Sequence, residues 1–467
     1  MLYELNEVPW QVVDLYVAER PGSNLARLLA AGLSQTTVDD DPVPLQPWRT
    51  WPTFHTSLYT DEHNSFELGQ DPTTFRGVTI WDAAEAAGHS VGLFGPLQSW
   101  PARTFAAGGF FVPDTFSRTA ETYPAGLRRF QQFNITMTRE NTFSSHVDPG
   151  GRQLVTTGVD LLRRGLTPSS LVALSTQLVN ERRDGRYRGQ RSTMQVLPSF
   201  DLYWRLHVQH QPDLSVFFTN HVAGMMHRYW GDWVPEYAAT EDYAPDPVFR
   251  RFVPTAMDMA DRQLGRIQAY VDRHPGTVLV VAASMGQGPI PYRHLDQTFV
   301  LEAPDRLLDQ LGLGAAEAGL AMYPRISLAF DSPAGAESAV AIIGSVEGDG
   351  CGPMFRDFTV NGRTVSFEIN FDRPDAKADE KLSFLDRDGV RVTVEAPDLG
   401  IAVRRRTGGG NTAYHIPEGM LLTYGAGIRA DASRGRVDIL DVAPSLLANV
   451  LGIEPPASMR GTASLFN

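Results

Sequence analysis

Two patterns of apolar and polar positions alternate along this chain. Short continuous apolar, β-rich runs read as buried strands: LYELNEV, ending at Asn6-Glu7, SVGLFG (Ser90–Gly95), LSVFFT (Leu214–Thr219), Thr277–Ala283 and Met420–Tyr424. Between them, apolar residues recur at helical spacing in Asn24–Gly32, Gly77–Gly88, Pro254–Asp272 and Ile439–Leu451, the last with Gly452 as its C-cap. Strands without a polar face must be covered on both sides. The alternation therefore predicts an α/β fold, a doubly wound and mostly parallel sheet with helices on both faces.

Two blocks break the alternation. Residues 117–200 are polar, Arg-rich and helical in pattern, and read as a helical insertion. Residues 325–412 hold RISLAF, AVAIIG, FRDFTVNGRTVSFEINF and VRVTVEA, which read as antiparallel strands with a hairpin turn at Asn361-Gly362. GGGN (Gly408–Asn411) reads as a flexible return to the main sheet. The expected organisation is a core of residues 1–116, 201–324 and 413–467, with a helical insertion at 117–200 and an antiparallel β insertion at 325–412.

Composition narrows the class. A hydrophobic content of 42% and a charged content of 20% are globular values. The longest apolar runs, such as VLVVAA (Val278–Ala283), fall far short of the roughly 20 residues that cross a bilayer, so no membrane partner is expected. The N-terminus MLYELNEVPW has neither a basic n-region nor an apolar h-region, which predicts no signal peptide. Cys351 is the single cysteine, so no intrachain disulfide forms, and a cytoplasmic location is expected. A net charge of −13 argues against a nucleic-acid face and leaves room for a local basic pocket.

Ligands of doubly wound sheets bind beyond the carboxyl ends of the strands. The residues at such places are Asn6-Glu7, the stretch PWRTWPTFHTSLYT (Pro47–Thr60), Asn220-His221, Ser284-Met285 and the loop holding His415. Pro52 suits the first turn of a helix, which puts Thr50 near an N-cap, where free N–H groups bind phosphate or sulfate. Two readings of Thr50 stay open: a plain helix cap, or a nucleophilic hydroxyl over an anion site.

Taken in order, these segments resemble the alkaline phosphatase superfamily, in its nucleotide pyrophosphatase/phosphodiesterase branch. Arg49-Thr50-Trp51-Pro52 resembles the family's R/K-T-x-P nucleophile segment, and TIWDAAEAAGHSVGLFG its following helix and strand. FFTNHVAGMMHRYW lies where the family has an Asp and, four residues on, a His. VLVVAASMGQGP lies where it has S-D-H-G-x-G-P. YHIPEGMLLTYGAGI resembles H-x-P-x-G-x-x-x-x-x-G-x-G-I, and DILDVAPSLLANVLGI its closing D-I-x-P-T-x-L-x-x-L-G. The resemblance covers nearly the whole chain and implies the family's α/β fold.

It also implies phosphate- or sulfate-ester chemistry on a small anionic substrate, with two zinc ions activating a threonine. Carried over residue by residue, Thr50 matches the nucleophile and His415 the last histidine. Glu7, or Asn6 in an equally good alignment, matches the first aspartate. The other metal positions depart from the pattern. Asn220 replaces an Asp, Gly224 its His partner, and Ser284-Met285 the Asp-His pair. A reduced site for zinc or another divalent ion remains, using Glu7, His221 or His227, and His415, or no metal at all. In the metal-free case Arg49, Arg228 and Arg293-His294 would supply charge, and His55, His221 or His415 would serve as base. Asn220, His221, Ser284 and Gln287 would contact the substrate alongside Arg49 and Arg228, with Gly286 and Gly288 keeping the loop's shape. Arg404–Arg406 reads either as a pocket rim or as a partner of the acidic surface. Three functions follow as alternatives: a hydrolase or group transferase through Thr50, a pseudoenzyme binding an anionic or nucleotide-like ligand, and a metal-independent biosynthetic transferase.

Overall fold

The structure is a computed structural model. It describes every residue except 143–155, 157, 159, 293–296, 320, 323, 349–351, 371–375, 387–388, 406–410 and 467. Cys351, Arg293-His294, Arg406 and Gly408–Gly410 therefore lie outside the described residues.

The five apolar runs of the sequence join three strands the pattern did not mark, Leu33–Val38, Gly109–Val112 and the polar Asp431–Asp438, in one eight-stranded sheet. Its strands are β1 (Leu2–Leu5), β2 (Leu33–Val38), β3 (Val91–Phe94), β4 (Gly109–Val112), β5 (Leu214–Thr219), β6 (Val278–Ala282), Glu418–Gly425 and Asp431–Asp438. From one edge the order is Asp431–Asp438, β2, Glu418–Gly425, β6, β1, β5, β3, β4. Neighbours run parallel except at Glu418–Gly425, which is antiparallel to both β2 and β6. The doubly wound α/β fold is thus present, with one reversed strand inside the sheet.

β1 shows why these runs are apolar on both faces. It lies between β5 and β6 with Leu2 level with Val216 and Val280. Tyr3 and Leu5 face a core cluster shared with α1 (Trp10–Glu19), α2 (Asn24–Ala31) and the helix Phe252–Val271. Leu2 faces a second cluster holding Trp51, Phe54, Ile80, Trp81 and the C-terminal helical segment. Each side chain fully buried in these layers stabilises the fold by about 1.5–3 kcal/mol. Glu4 points into the second cluster, where its Oε1 meets His55 Nε2 at 2.6 Å. A buried carboxylate persists only with such a partner.

The helix of the PWRTWPTFHTSLYT stretch, α3 (Pro47–Thr56), corrects the expected start. Gln46 is its N-cap and Pro47 fills the first helical position, so Pro52 sits inside the helix and not in its first turn. Pro52 offers no N–H to the Trp48 carbonyl. That carbonyl accepts the Ser65 hydroxyl instead, at 2.9 Å, so the interior proline leaves no orphan group there.

Helices Arg128–Thr142 and Pro168–Arg183 lie within residues 117–200, where helical patterning is expected, whereas Val196–His210 runs on past residue 200 into the segment assigned to the core. In the β block, Arg325–Ala329, Phe355–Asn361, Thr364–Ile369, Lys381–Leu385 and Arg391–Glu395 are antiparallel strands, with Gly362 left-handed at φ 57° in the hairpin turn. AVAIIG is not a strand. It ends the helix Pro333–Gly344, capped by Ser332 and opened by Pro333, with Ala336, Ala339 and Ile343 buried along one face. These elements share a third core cluster. The buried ion pair of Arg325 with Glu67, at 3.2 Å, ties it to the segment following α3. Ile439–Leu451 is helical in three consecutive pieces, Ile439–Asp441, Val442–Ser445 and Leu446–Val450, and Gly452 closes it at φ 69°. Among the described residues no helix is long and apolar enough to cross a membrane.

Beyond β2 the chain buries Asp39. Burial pushes its pKa from 3.8 to about 7; the Asp41 amide opposes this, while the charges of Asp41, Asp438 and Asp40 add to it. Between those two values the unfolded chain releases a proton that the folded chain keeps. Stability is therefore lost as pH rises through that window. Asp39→Asn is expected to stabilise the protein at pH 8 by on the order of 1–3 kcal/mol, with little effect near pH 4. Urea midpoints at the two pH values check this; equal shifts at both would refute it.

Candidate functional site

The carboxyl ends of β5, β1 and β6 deliver Asn220, Asn6-Glu7 and Ser284 side by side, as the strand order requires. Glu7 leaves β1 in the left-handed region at φ 61°, a conformation that costs a non-glycine residue about 1–3 kcal/mol. This backbone turns its carboxylate toward two imidazoles. Oε2 lies 3.0 Å from His227 Nε2 and 3.5 Å from His415 Nε2. The three ligand atoms of Glu7, His227 and His415 lie within 4.8 Å of one another.

Each imidazole is fixed from behind. His227, on the helix Ala223–Trp233, directs Nδ1 to the Ala413 carbonyl at 3.0 Å. His415 directs Nδ1 to the Leu45 carbonyl at 2.9 Å. A carbonyl only accepts, so each Nδ1 carries a proton and each Nε2 turns to Glu7, donating to it when the ring is charged and free to bind a cation when the ring is neutral. Backbone-held Nδ1–H groups with Nε2 facing inward are the usual outer support of metal-binding histidines.

The other side of Glu7 is neutral. Gln287 Nε2 donates to Glu7 Oε2 and, at 3.2 Å, to the Ala223 carbonyl. Gln287 stands opposite His415 where β7 (Gly286–Pro289) pairs with Ala413–Ile416, so one strand pair presents both residues. A methyl group on Gly286 would come within 2.3 Å of the Glu418 carbonyl oxygen, which is why this loop needs glycine. Asn6 Nδ2 donates to Glu7 Oε1 and to Asn220 Oδ1, each at 2.7 Å. Burial alone would raise the pKa of Glu7. The charges of His415 and His227 and their hydrogen bonds outweigh it and hold Glu7 well below the usual carboxylate range.

Thr50 sits one turn inside α3, and its amide already donates to the Gln46 carbonyl at 3.0 Å. The expected free helix-start amide at Thr50 is therefore absent, because the helix begins three residues earlier. Its hydroxyl lies 2.7 Å from Ser284 Oγ, and both side chains are buried. The next residue, Trp51, donates its indole N–H to Asn6 Oδ1 at 2.7 Å, which connects α3 to the Glu7 cluster.

Several expected residues lie elsewhere. His221 is an interior residue: it meets the Thr219 hydroxyl at 2.6 Å and the Ala256 carbonyl at 3.0 Å, and burial lowers its pKa to about 4. His55 is committed to Glu4. Arg49 is buried with its guanidinium on the carbonyls of Phe66 and Pro44, and burial lowers its pKa. Arg228 follows His227 on the helix but lies by the Tyr229 hydroxyl and makes no hydrogen bond to the cluster. Arg404 is exposed and paired with Glu302. Asn6, the alternative to Glu7, is a hydrogen-bond donor to it. Trp51 and Tyr414 were not singled out from the sequence, and Tyr414 stacks on His415 at 4.2 Å. The one signal for Trp51 was its place beside Thr50.

The donor set fits one divalent ion such as zinc and not two. Two Nε2 atoms and a carboxylate converge with their outer supports in place. At the remaining positions implied by the resemblance, Asn220 and Ser284 are held by neutral hydrogen bonds and Met285 is buried. A Cβ added at Gly224 would meet nothing within 4 Å. No carboxylate or imidazole is supplied there.

Two solved structures of murine ectonucleotide pyrophosphatase/phosphodiesterase 5 are similar to this chain over 99% of its length and 96% of theirs. One, an inactive form in complex with AMP, has 10% sequence identity and a TM-score of 0.43; the other has 9% and 0.44. Likeness at that level says nothing of activity or ligand. No family model matches the chain, and no curated protein matches it in sequence.

If the cluster is a cation site, purified protein dialysed against zinc retains about one ion per chain. His227→Ala and His415→Ala each weaken retention at least 100-fold, since each removes one of three ligands. Elemental analysis after gel filtration measures this; unchanged zinc content in both variants would exclude the site.

Proposed function

We propose that this chain acts on a small anionic phosphate or sulfate ester, by hydrolysis or group transfer, at a single-cation centre of Glu7, His227 and His415. One observation carries the proposal: two imidazole Nε2 atoms converge on one oxygen of Glu7 while backbone carbonyls hold both Nδ1 atoms. Three ligands of the His and Glu type leave a coordination position open, which is characteristic of catalytic zinc. When bound, a divalent ion supplies positive charge against the ester oxygens and lowers the pKa of a hydroxyl beside it.

The chain's own residues do the rest. Gln287 and Asn6 fix the Glu7 carboxylate, and Glu7 with the two carbonyls fixes the imidazoles. Thr50 is the nucleophile of this proposal: its oxygen bonds to phosphorus or sulfur as the bond to the leaving oxygen breaks, its proton passes to that leaving oxygen, and water or an acceptor hydroxyl then displaces Thr50. His415 then serves as a ligand and not as the base, because its Nε2 faces Glu7. Of the cations that a metal-independent transferase would use, Arg49 and Arg228 are directed elsewhere, and Arg293-His294 lie outside the described residues.

A second function is favoured by a separate observation. Thr50 is only 2% exposed, its amide is used within the helix, and its hydroxyl partner is another hydroxyl. Those features suit a non-catalytic protein that binds an anionic, nucleotide-like ligand.

A panel of phosphate monoesters, phosphate diesters and sulfate esters, assayed with and without zinc, separates the two. The expected outcome is zinc-dependent turnover that Thr50→Ala lowers at least 100-fold and Thr50→Ser largely retains, with zinc content and melting temperature unchanged. Full turnover in Thr50→Ala would remove Thr50 from the chemistry. Ligand binding without turnover anywhere on the panel would select the non-catalytic function.

A further inference from the structure

The hydrogen bonds at the strand ends form a chain whose direction is fixed by its first member. The indole N–H of Trp51 can only donate. Asn6 therefore presents Oδ1 to Trp51, at 2.7 Å, and its amide nitrogen turns the other way. That nitrogen donates to Glu7 Oε1 and to Asn220 Oδ1, each at 2.7 Å. Asn220 must then accept with its oxygen, and its own Nδ2 points away from Asn6. Asn220 is exposed, and among the described residues its Nδ2 has no partner. Two N–H groups are thus directed outward beside the Glu7 cluster, on a residue that shares one amide with Glu7. The space at Gly224, one turn along, is open.

We infer that the side-chain amide of Asn220 is an oxyanion-binding donor at this centre, and that Trp51 is a positioning residue that sets its orientation through Asn6. The inference rests on the proposed function in taking an oxyanion as the ligand and a cation at Glu7, His227 and His415 as its neighbour; it requires no turnover. It gives the neutral residue at this strand end a task. A carboxylate here would repel a phosphate or sulfate oxygen, whereas an amide held with its nitrogen outward attracts it. Buried donors upstream make the orientation obligatory, because a flipped Asn6 would set its nitrogen against the indole N–H and its oxygen against Glu7.

The test is calorimetric titration of inorganic phosphate into the full chain carrying one equivalent of zinc. Asn220→Ala is expected to weaken phosphate binding by roughly 10-fold to 100-fold, the range for a hydrogen bond to a charged group, with zinc content unchanged. Asn220→Asp, which replaces the donor by a negative acceptor of the same shape, weakens it further. Trp51→Phe weakens it as well, although the indole touches no ligand, and its melting curve controls for loss of fold; Asn220, being exposed, carries no such risk. Wild-type affinity in Asn220→Ala, or equal affinity in Asn220→Asp, overturns the donor role. Unchanged affinity in folded Trp51→Phe overturns the positioning role. Absence of phosphate binding by the wild-type chain overturns both. Phosphate binding that obeys this pattern without ester turnover would reject the proposed catalysis and leave the Asn220 assignment standing.

Discussion

A buried carboxylate must be satisfied or neutralised, and at the strand ends of this fold the carboxylate is Glu7. Its partners come from separate parts of the sequence. Asn6 is its own neighbour, Gln287 follows β6, His227 lies on a helix after β5, and His415 leads into the reversed strand Glu418–Gly425. The arrangement holds only if β1 sits between β5 and β6 at the register it has. The reversed strand inside the sheet contributes as well, since the segment that enters it carries His415 back across β7.

Around Glu7 the charge is uneven. The His227 and His415 side offers two ring nitrogens and suits a cation. The Asn6, Asn220, Ser284 and Thr50 side offers amides and hydroxyls and suits hydrogen bonds. A two-metal centre needs anionic or imidazole ligands on both sides. Here the groups on one side are neutral, on a backbone that includes Gly286, where there is no room for a side chain. Asn220 is bonded to Asn6 and Ser284 to Thr50, so that half of the site is an ordered polar network.

The errors of sequence interpretation have local causes. AVAIIG is apolar enough for a strand, but Ser332 and Pro333 begin a helix some residues earlier, and burial then follows helical spacing. Pro52 looked like a first-turn proline because Pro47 was not taken as one, and Ser65, which satisfies the freed Trp48 carbonyl, is distant from any local signal. His221 and His227 are equivalent as letters. Only the turn after β5 decides that His221 enters the core while His227 reaches the strand ends.

By itself the sequence determined the layers. Apolar runs need cover on both faces, amphipathic helices supply it, and ligand-bearing residues follow at the strand ends. It also put Thr50, Glu7 and His415 at one end of the sheet, with the neutral residues Asn220, Gly224, Ser284 and Met285 near them in the pattern. Tertiary structure decided the rest: which histidine completes the cluster, that Arg49 binds backbone carbonyls while Arg228 lies by Tyr229, and which way each amide points. The physical reason is that burial and spacing are carried by each residue's own side chain. Hydrogen-bond direction and ligand convergence depend instead on partners brought together from distant positions, as when Trp51 fixes Asn6 and Asn6 fixes Asn220.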